Sequence, residues 1–132
     1  MAGSGIMPIF VIQKHNAKRL HWDFRLSMNG VLKSWAVPKE PPKKSGEKRL
    51  AVQVEDHPLS YANFEGTIPK GMYGAGTVKI WDKGQYKLIE KTKDKLEFEL
   101  KGKKLKGIYY LVRFKKAGPR NWLLFKKSPS KK

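Results

Sequence analysis

The sequence of 132 residues contains no cysteine. Disulfide bonds, thiolate metal sites and a cysteine nucleophile are therefore all excluded. Long apolar runs are absent too, since no stretch approaches the roughly 20 residues that a membrane-spanning helix needs. The first residues, MAGSGIMPIF, also lack the apolar core of a secretion signal. These absences predict a soluble, cytoplasmic protein with no membrane partner.

Acidic residues are scarce, with 11 Asp and Glu against 29 Lys and Arg, which leaves a formal net charge of +18. Such a charge attracts polyanions, and nucleic acid is the partner that it favours most. Few carboxylates also argue against two-metal nuclease chemistry, which uses several clustered acidic groups. A Ser/His/Asp hydrolase is disfavoured because the sequence contains no GxSxG motif.

Length and composition predict a single domain. A chain of this length with 39% hydrophobic residues can build one core but not two. We assign residues 1–6 to an expression remnant or disordered lead, 7–126 to one β-barrel domain, and 127–132 to a flexible basic tail. We expect a monomer.

Short runs of β-branched and aromatic residues alternate with Gly, Pro and Asn, a pattern typical of an all-β domain. Asn29-Gly30 predicts a type I′ turn, and weaker turn signals occur at 82–84 and 101–103. We expect a small closed or nearly closed β-barrel of short antiparallel strands, because an open sheet would leave its edges unpaired. The predicted strands are 9–15, 20–28, 31–37, 49–55, 76–82, 85–91, 95–100, 108–114 and 122–126.

A row of polar side chains is predicted on the second strand, HWDFRL at 21–26. Side chains on a strand alternate between faces, so His21, Asp23 and Arg25 share one face and the apolar residues between them share the other. An imidazole, a carboxylate and a guanidinium in a row can hold a metal ion beside an anion.

The preceding strand extends this row. Alternation places Gln13 and His15 on one face, and a chain reversal at 16–19 would bring His15 opposite His21. Two imidazoles and a carboxylate suit Mn²⁺, Zn²⁺ or Fe²⁺. A surface strand pair without a metal is the alternative interpretation of the same residues.

The stretch RLAVQVEDH at 49–57 alternates in the same way, so Arg49 and His57 are predicted to share a polar face, with Tyr61 close behind. Phosphate chemistry uses such cations and donors. A turn contact for His57 and a half-buried ring for Tyr61 are equally compatible with the pattern. The glycine-rich segment 71–76 matches no nucleotide-binding motif and predicts a hairpin loop.

Four separated segments resemble the 3′-phosphoesterase domain of bacterial DNA ligase D and its stand-alone archaeal relatives. They are FVIQKHNAKRLHWDFRL (10–26), SWAVPK (34–39), RLAVQVEDHPLSYANFEGTIPKGMYGAGTV (49–78) and NWLLFKK (121–127). The resemblance implies a small β-barrel with a crescent-shaped cleft. It also implies a Mn²⁺-dependent activity that trims 3′ ends of DNA or RNA in non-homologous end joining and repair.

In that family a terminal ribonucleoside is removed by phosphodiester cleavage, and the remaining 3′-phosphate by monoester cleavage, which leaves a 3′-hydroxyl. The resemblance implies that Mn²⁺, or another ion such as Zn²⁺ or Co²⁺, is held by His15, His21 and Asp23. It implies a phosphate-binding and catalytic set made of Arg25, His57, Arg49, Lys39, Tyr61 and Gln13.

Family domains carry a charged N-terminal arm, whereas this chain has a short lead. If the arm supplies groups for the second step, we expect cleavage here to stop at the 3′-phosphate. A DNA ligase or polymerase that acts in trans is a hypothesis, because the sequence contains neither module.

Two other functions remain compatible with the composition. One is a non-catalytic basic β-barrel that binds single strands or the ends of nucleic acid. Such a binding module needs no carboxylate facing its anionic ligand. The other is a basic structural protein associated with RNA or the ribosome, which leaves the histidine cluster unused.

Overall fold

The computed structural model describes residues 7–129, so the predicted lead and the last three residues of the predicted tail lie outside the described residues. Within that range the chain forms strands and two short 3₁₀ helices. The 3₁₀ helices cover Leu59–Asn63 and Lys115–Ala117. The strands are β1 Ile9–Asn16, β2 Leu20–Met28, β3 Val31–Val37, β4 Lys48–His57, β5 Gly66–Ile68, β6 Gly76–Lys91, β7 Lys95–Lys101, β8 Lys106–Arg113 and β9 Asn121–Lys126.

Eight of these strands form a closed antiparallel barrel. The order is β1-β2-β3-β4-β9-β8-β7-β6, and β6 pairs with β1 to close the ring. The short strand β5 pairs with the start of β6 and lies outside the ring. The predicted all-β barrel is confirmed. In the part of the chain that the structure describes, no helix is long and apolar enough to cross a membrane.

The hairpin of β2 and β3 follows the prediction. Asn29 and Gly30 have φ angles of 54° and 82°, as a type I′ turn requires. A two-residue turn fixes the register, and here it pairs Met28 with Val31 and Arg25 with Ser34.

Alternation along β2 separates an apolar face from a polar one. Trp22, Phe24 and Leu26 are buried in the barrel interior, where complete burial of such a side chain contributes about 1.5–3 kcal/mol. Asp23 and Arg25 point to the outside of the barrel and are nevertheless also buried. Another segment of the chain therefore covers the outer face of β2, and this segment is part of the candidate site described below.

The predicted turn at 82–84 is wrong, because β6 runs through it as one strand of 16 residues. Asp82 is 4% exposed, and its carboxylate accepts backbone N–H groups from Lys83 and from the 103–105 segment between β7 and β8. A Cβ at Gly84 would clash with the carbonyl of Lys101. Asp82 and Gly84 therefore lie where β6 changes partner from β1 to β7. The weaker turn signal at 101–103 is confirmed, with Gly102 N–H donating to the Leu105 carbonyl at 3.0 Å.

Strand β4 holds a second departure from the prediction. The register with β3 shifts between the pairs Ser34–Val54 and Leu32–His57, so β4 carries an extra residue there and the alternation of side chains is reset. His57 therefore lies on the outer face with Val54, whereas Arg49 lies on the same face of β4 as Ala51, which is buried in the core. The predicted shared face of Arg49 and His57 is wrong for this reason.

We expect Asp82→Asn to lower the free energy of unfolding by roughly 2–4 kcal/mol, because the amide presents one acceptor oxygen and leaves buried N–H groups unpaired. Urea denaturation followed by tryptophan fluorescence measures this change. Asp94→Asn is the matched control, since Asp94 forms ion pairs with Arg113 and Lys115 at the surface and should cost less than about 1 kcal/mol. Equal losses for the two variants would contradict the assigned role of Asp82.

Candidate metal and phosphate site

The hairpin of β1 and β2 builds the first part of the site. Its register pairs His15 with His21, Gln13 with Asp23 and Val11 with Arg25. The two imidazole centroids are 4.8 Å apart. The predicted chain reversal and the shared face of Gln13 and His15 are thus both confirmed.

Three side chains on this hairpin could hold a metal ion. The Asp23 Oδ2 atom lies 3.2 Å from His21 Nε2 and 3.6 Å from His15 Nδ1. One ligand atom from each of the three residues lies within 4.8 Å of the others. Two imidazole nitrogens and a carboxylate oxygen form a donor set that suits a divalent transition ion.

The far nitrogen of each imidazole has a backbone carbonyl as partner. His15 Nε2 lies 2.7 Å from the Gly74 carbonyl, and His21 Nδ1 lies 3.1 Å from the Arg19 carbonyl. Carbonyls only accept, so these nitrogens carry protons and the opposite nitrogens, which face Asp23, present lone pairs. Metal-binding histidines are held in this way, so the residues fit a metal site.

A proton competes for the same position. The hydrogen bond to Asp23 raises the pKa of His21 above its usual value, and the Asp23 charge adds to this effect against the opposing effect of burial. For Asp23, burial raises the pKa, but the His21 hydrogen bond and the Arg25 charge together lower it below its usual value. The carboxylate therefore stays ionised beside its cationic neighbours.

Arg25 joins this cluster to the rest of the site. Its guanidinium, 3% exposed, donates from Nε to Gln13 Oε1 at 2.7 Å and from Nη1 to Ser34 Oγ at 2.8 Å. Nη1 also lies 3.1 Å from His57 Nδ1, and Nη2 lies 3.5 Å from Asp23 Oδ2. These contacts on three sides fix the plane of the guanidinium.

Gln13 is held in turn by the segment that covers the site. Its Nε2 donates to the carbonyls of Tyr61 and Phe64 at 2.8 and 3.2 Å. This segment packs an apolar patch, with Ala62 at its centre, against Val11 and Leu32 on the outer face of the barrel. The 3₁₀ helix Leu59–Asn63 thereby explains the burial of Arg25.

His57 is poised as a neutral hydrogen-bond donor. Burial lowers its pKa, and the Arg25 charge lowers it further. Its Nδ1 atom contacts both the Arg25 guanidinium at 3.1 Å, which can only donate, and the Glu55 carbonyl at 3.2 Å, which can only accept. The first contact favours the neutral ring with its proton on Nε2, and the second favours the proton on Nδ1. Tyr61 lies alongside, with its ring centroid 4.8 Å from that of His57 and 4.9 Å from the Arg25 guanidinium. Burial raises the pKa of Tyr61, so its hydroxyl remains protonated.

We expect His57 in the metal-free protein to titrate below pH 6.5, because burial and the Arg25 charge both disfavour its protonated form. The depressed pKa contributes stability that is fully present above the unfolded-state pKa of about 6.5. This contribution is lost as the pH falls through the folded-state pKa. An NMR titration of the histidine ring protons, assigned with His57→Gln, measures the midpoint. A midpoint at or above 6.5 would contradict the assigned contact with Arg25.

One cavity of about 580 Å³ connects the two groups. Its lining includes two carboxylates from the end of β4, Glu55 and Asp56, as well as Tyr73 from the loop between β5 and β6. Of the predicted site residues, it brings together His15, His21, Asp23, Arg25, His57 and Tyr61. Gln13 supports this set from behind.

Two predicted site residues lie apart from this cavity. Arg49 donates from Nε to the Glu40 carbonyl at 2.7 Å, and its Nη2 lies 3.5 Å from Glu47 Oε1. Lys39 is exposed in the loop that follows β3. Neither lines the cavity, and their roles in phosphate binding stay predictions.

Sequence reasoning missed two groups that hold the site. Ser34 supports Arg25, and the register set by the Asn29-Gly30 turn could have revealed it, because that turn pairs residues 25 and 34. The Gly74 carbonyl supports His15 across 59 positions of sequence, and no local signal indicates it. The segment 71–76 does form the predicted hairpin loop, between β5 and β6.

Comparison with known proteins decides the family. The family model of the DNA ligase D 3′-phosphoesterase domain matches residues 13–113. The chain belongs to this family. The resemblance noted in the sequence is thereby confirmed.

Relatives of this phosphoesterase-family domain are much longer proteins. The multifunctional non-homologous end joining protein LigD of Pseudomonas aeruginosa is 51% identical over 123 residues, which cover 89% of this chain and 15% of that protein. The multifunctional non-homologous end joining DNA repair protein LigD of Mycobacterium tuberculosis is 51% identical over 109 residues, which cover 79% and 14%. This chain thus spans about a seventh of these relatives.

Proposed function

We propose that this domain is a Mn²⁺-dependent phosphoesterase that heals the 3′ ends of DNA or RNA strands during non-homologous end joining. The observation that carries the proposal is the single cavity in which the His15, His21 and Asp23 cluster adjoins Arg25 and His57. Family membership and the names of the relatives support end joining as the process. A ligase or polymerase partner in trans stays a prediction.

His15, His21 and Asp23 would hold the ion. When bound, Mn²⁺ supplies Lewis-acid polarisation of a phosphate oxygen and lowers the pKa of a coordinated water. The protein's own contribution is to hold both imidazole lone pairs and the carboxylate in place through the Gly74 and Arg19 carbonyls and through Arg25.

Arg25 has a donor to spare for the phosphate. Of its five N–H groups, one reaches Gln13, two reach Ser34 and His57, and one faces Asp23. The remaining N–H on Nη2 has no protein partner among residues 7–129. A fixed guanidinium donor at that position would neutralise charge on a phosphate oxygen as the ester bond breaks.

His57 and Tyr61 add neutral donors to the same pocket. The side chains of His57 and Tyr61 both line the cavity. His57 can donate a hydrogen bond or a proton to the phosphate as negative charge develops there. The attacking group is water or a neighbouring ribose 2′-hydroxyl, and a 2′-deoxy substrate distinguishes them.

The test is end processing of a 5′-labelled primer-template whose last two 3′ nucleotides are ribonucleotides, so that a 2′-hydroxyl adjoins the scissile phosphate, in the presence of Mn²⁺, Mg²⁺, Zn²⁺ or EDTA. We expect shortening that depends on the metal and falls at least about 100-fold in both His21→Ala and His57→Ala. Calorimetric Mn²⁺ titration separates the two variants, because only His21→Ala should lose metal affinity. Lys87→Ala, on the exposed far half of β6, is the control and should match the wild type.

Resolution of the product as 3′-phosphate or 3′-hydroxyl reports whether the second step occurs. A product that stops at the 3′-phosphate would identify a phosphodiesterase without monoesterase activity. Absence of cleavage with every ion, together with salt-sensitive binding of the same substrate, would contradict the proposal and identify a non-catalytic barrel that binds nucleic acid.

A further inference from the structure

A second cavity, of about 780 Å³, opens directly beside the proposed active site. It shares Ala17, Ile68 and Gly74 with the first cavity, so the two form one continuous depression. Its walls come from the turn between β1 and β2 and from the loop between β5 and β6. None of the residues proposed to act on the phosphate lines it.

The loop between β5 and β6 exposes two large side chains at this point. Met72, on the wall of the second cavity, is 60% exposed, and Tyr73, on the wall of the first, is 96% exposed. The loop is folded on itself, with Met72 N–H donating to the Pro69 carbonyl and Ala75 N–H to the Met72 carbonyl. It is the same loop whose Gly74 carbonyl holds His15. An exposed aromatic ring on a loop beside the candidate metal cluster is suited to stack on a base.

The charges at the two ends of the depression have opposite signs. Lys18 and Lys70 are exposed and line the second cavity. Glu55 and Asp56, also exposed, line the far end of the first cavity beside His57. Asp56 forms an ion pair with Lys33 at 3.1 Å, so the negative charge at this end comes mainly from Glu55. A nucleic-acid strand that carries further phosphates is attracted to the lysine end of the depression and repelled from the carboxylate end.

The two sides of the scissile phosphate also differ in charge. The strand that is retained carries further phosphates, whereas a 3′-terminal ribonucleoside carries none. The leaving ribonucleoside presents ribose hydroxyls instead, and carboxylates accept hydrogen bonds from such hydroxyls.

We propose that the second cavity binds the retained strand, on the 5′ side of the scissile phosphate. Tyr73 stacks on the base next to that phosphate, and Lys18 and Lys70 contact the backbone. The leaving nucleoside then occupies the end near Glu55 and Asp56. This inference rests on the proposed function, because it orients the substrate of that same site.

The test compares binding of two primer-templates by fluorescence anisotropy in EDTA, where no turnover takes place. One ends in a 3′-ribonucleoside. The other is the product of phosphodiester cleavage, which has lost that nucleoside and ends in a 3′-phosphate. We expect Tyr73→Ala to weaken binding of both by the same factor, about tenfold, whereas Tyr73→Phe binds like the wild type.

The lysines are tested by the salt dependence of product binding. The double variant Lys18→Ala/Lys70→Ala should reduce the slope of log K against log salt by about 2. The control is Lys87→Ala/Lys91→Ala, which removes the same charge from the exposed far half of β6 and should leave the slope unchanged.

Unchanged product binding in Tyr73→Ala, with weaker binding of the ribonucleoside-ended substrate, would overturn the inference, because Tyr73 would then contact the leaving nucleoside and not the retained strand. Unchanged binding of both would overturn it as well. Failure of the proposed function gives a different result from failure of this inference. A wild-type protein that cleaves no substrate can still bind the 3′-phosphate-ended strand through Tyr73.

Discussion

Asp23→Asn is expected to weaken Mn²⁺ binding at least about 100-fold and to abolish cleavage. Its Oδ2 atom lies within 3.6 Å of ring nitrogens of both His15 and His21, so this carboxylate contacts both other members of the cluster. Asparagine keeps the shape but removes the negative charge, which is the hard ligand of the set. Loss of a partner that only orients a ligand costs 10–100-fold, and loss of the ligand itself should cost more.

The same substitution should lower the free energy of unfolding of the metal-free protein by about 3 kcal/mol, because it leaves the buried Arg25 without its carboxylate partner. Binding of nucleic acid should persist, since a negative charge has been removed. Mn²⁺ titration, urea denaturation and anisotropy measure the three effects. Asp94→Asn is the control for metal affinity, and wild-type affinity in Asp23→Asn would exclude this cluster as the metal site.

Arg25→Lys is expected to reduce kcat by about 100-fold or more while Mn²⁺ affinity falls less than about tenfold. The charge is kept, but a lysine ammonium cannot reproduce a planar fork that meets Gln13, Ser34 and His57 at fixed angles. Some of these buried acceptors lose their donor, at a cost of about 1–3 kcal/mol for each unpaired group. The Nη2 N–H that we propose as a donor to the phosphate is lost with the fork.

The control for this variant is Arg113→Lys. Arg113 also uses its guanidinium as a fork, between Asp94 and the Pro119 carbonyl, and it lies over the Trp122 ring. It does not line either cavity of the site. Comparable loss of cleavage in the two variants would mean that fork geometry matters only for stability, and would contradict a direct role for Arg25.

Local patterns predicted the first half of the barrel well. In β2 the alternation of apolar and polar residues fixes which side chains face the core, and the Asn29-Gly30 turn fixes how β3 pairs with it. Both signals depend on only a few neighbouring residues, so they can be recognised in the sequence. The polar row of His21, Asp23 and Arg25 follows from these two rules alone.

The errors arose where distant contacts override local preference. Asp82 and Gly84 are turn formers, yet the carboxylate of Asp82 accepts N–H groups more than 20 positions away, and the chain continues as one strand without reversing. An extra residue in β4 moved His57 to the site face and left Arg49 on the other, and alternation cannot foresee a bulge. Short strand β5 has too few residues to give any periodic signal.

The seam between β1 and β6 also governs how the chain reaches its folded state. Residues of β1 pair with partners 61 to 76 positions further along, from Thr77 for Asn16 to Gln85 for Ile9. These pairs raise the contact order of the fold, and folding is slower at high contact order. At about 5–20 residues per second of synthesis, the first strand waits several seconds for its second neighbour. The Gly74 acceptor of His15 lies just ahead of β6 in the sequence, so the proposed metal site gains this support at the stage when β6 becomes available to pair with β1.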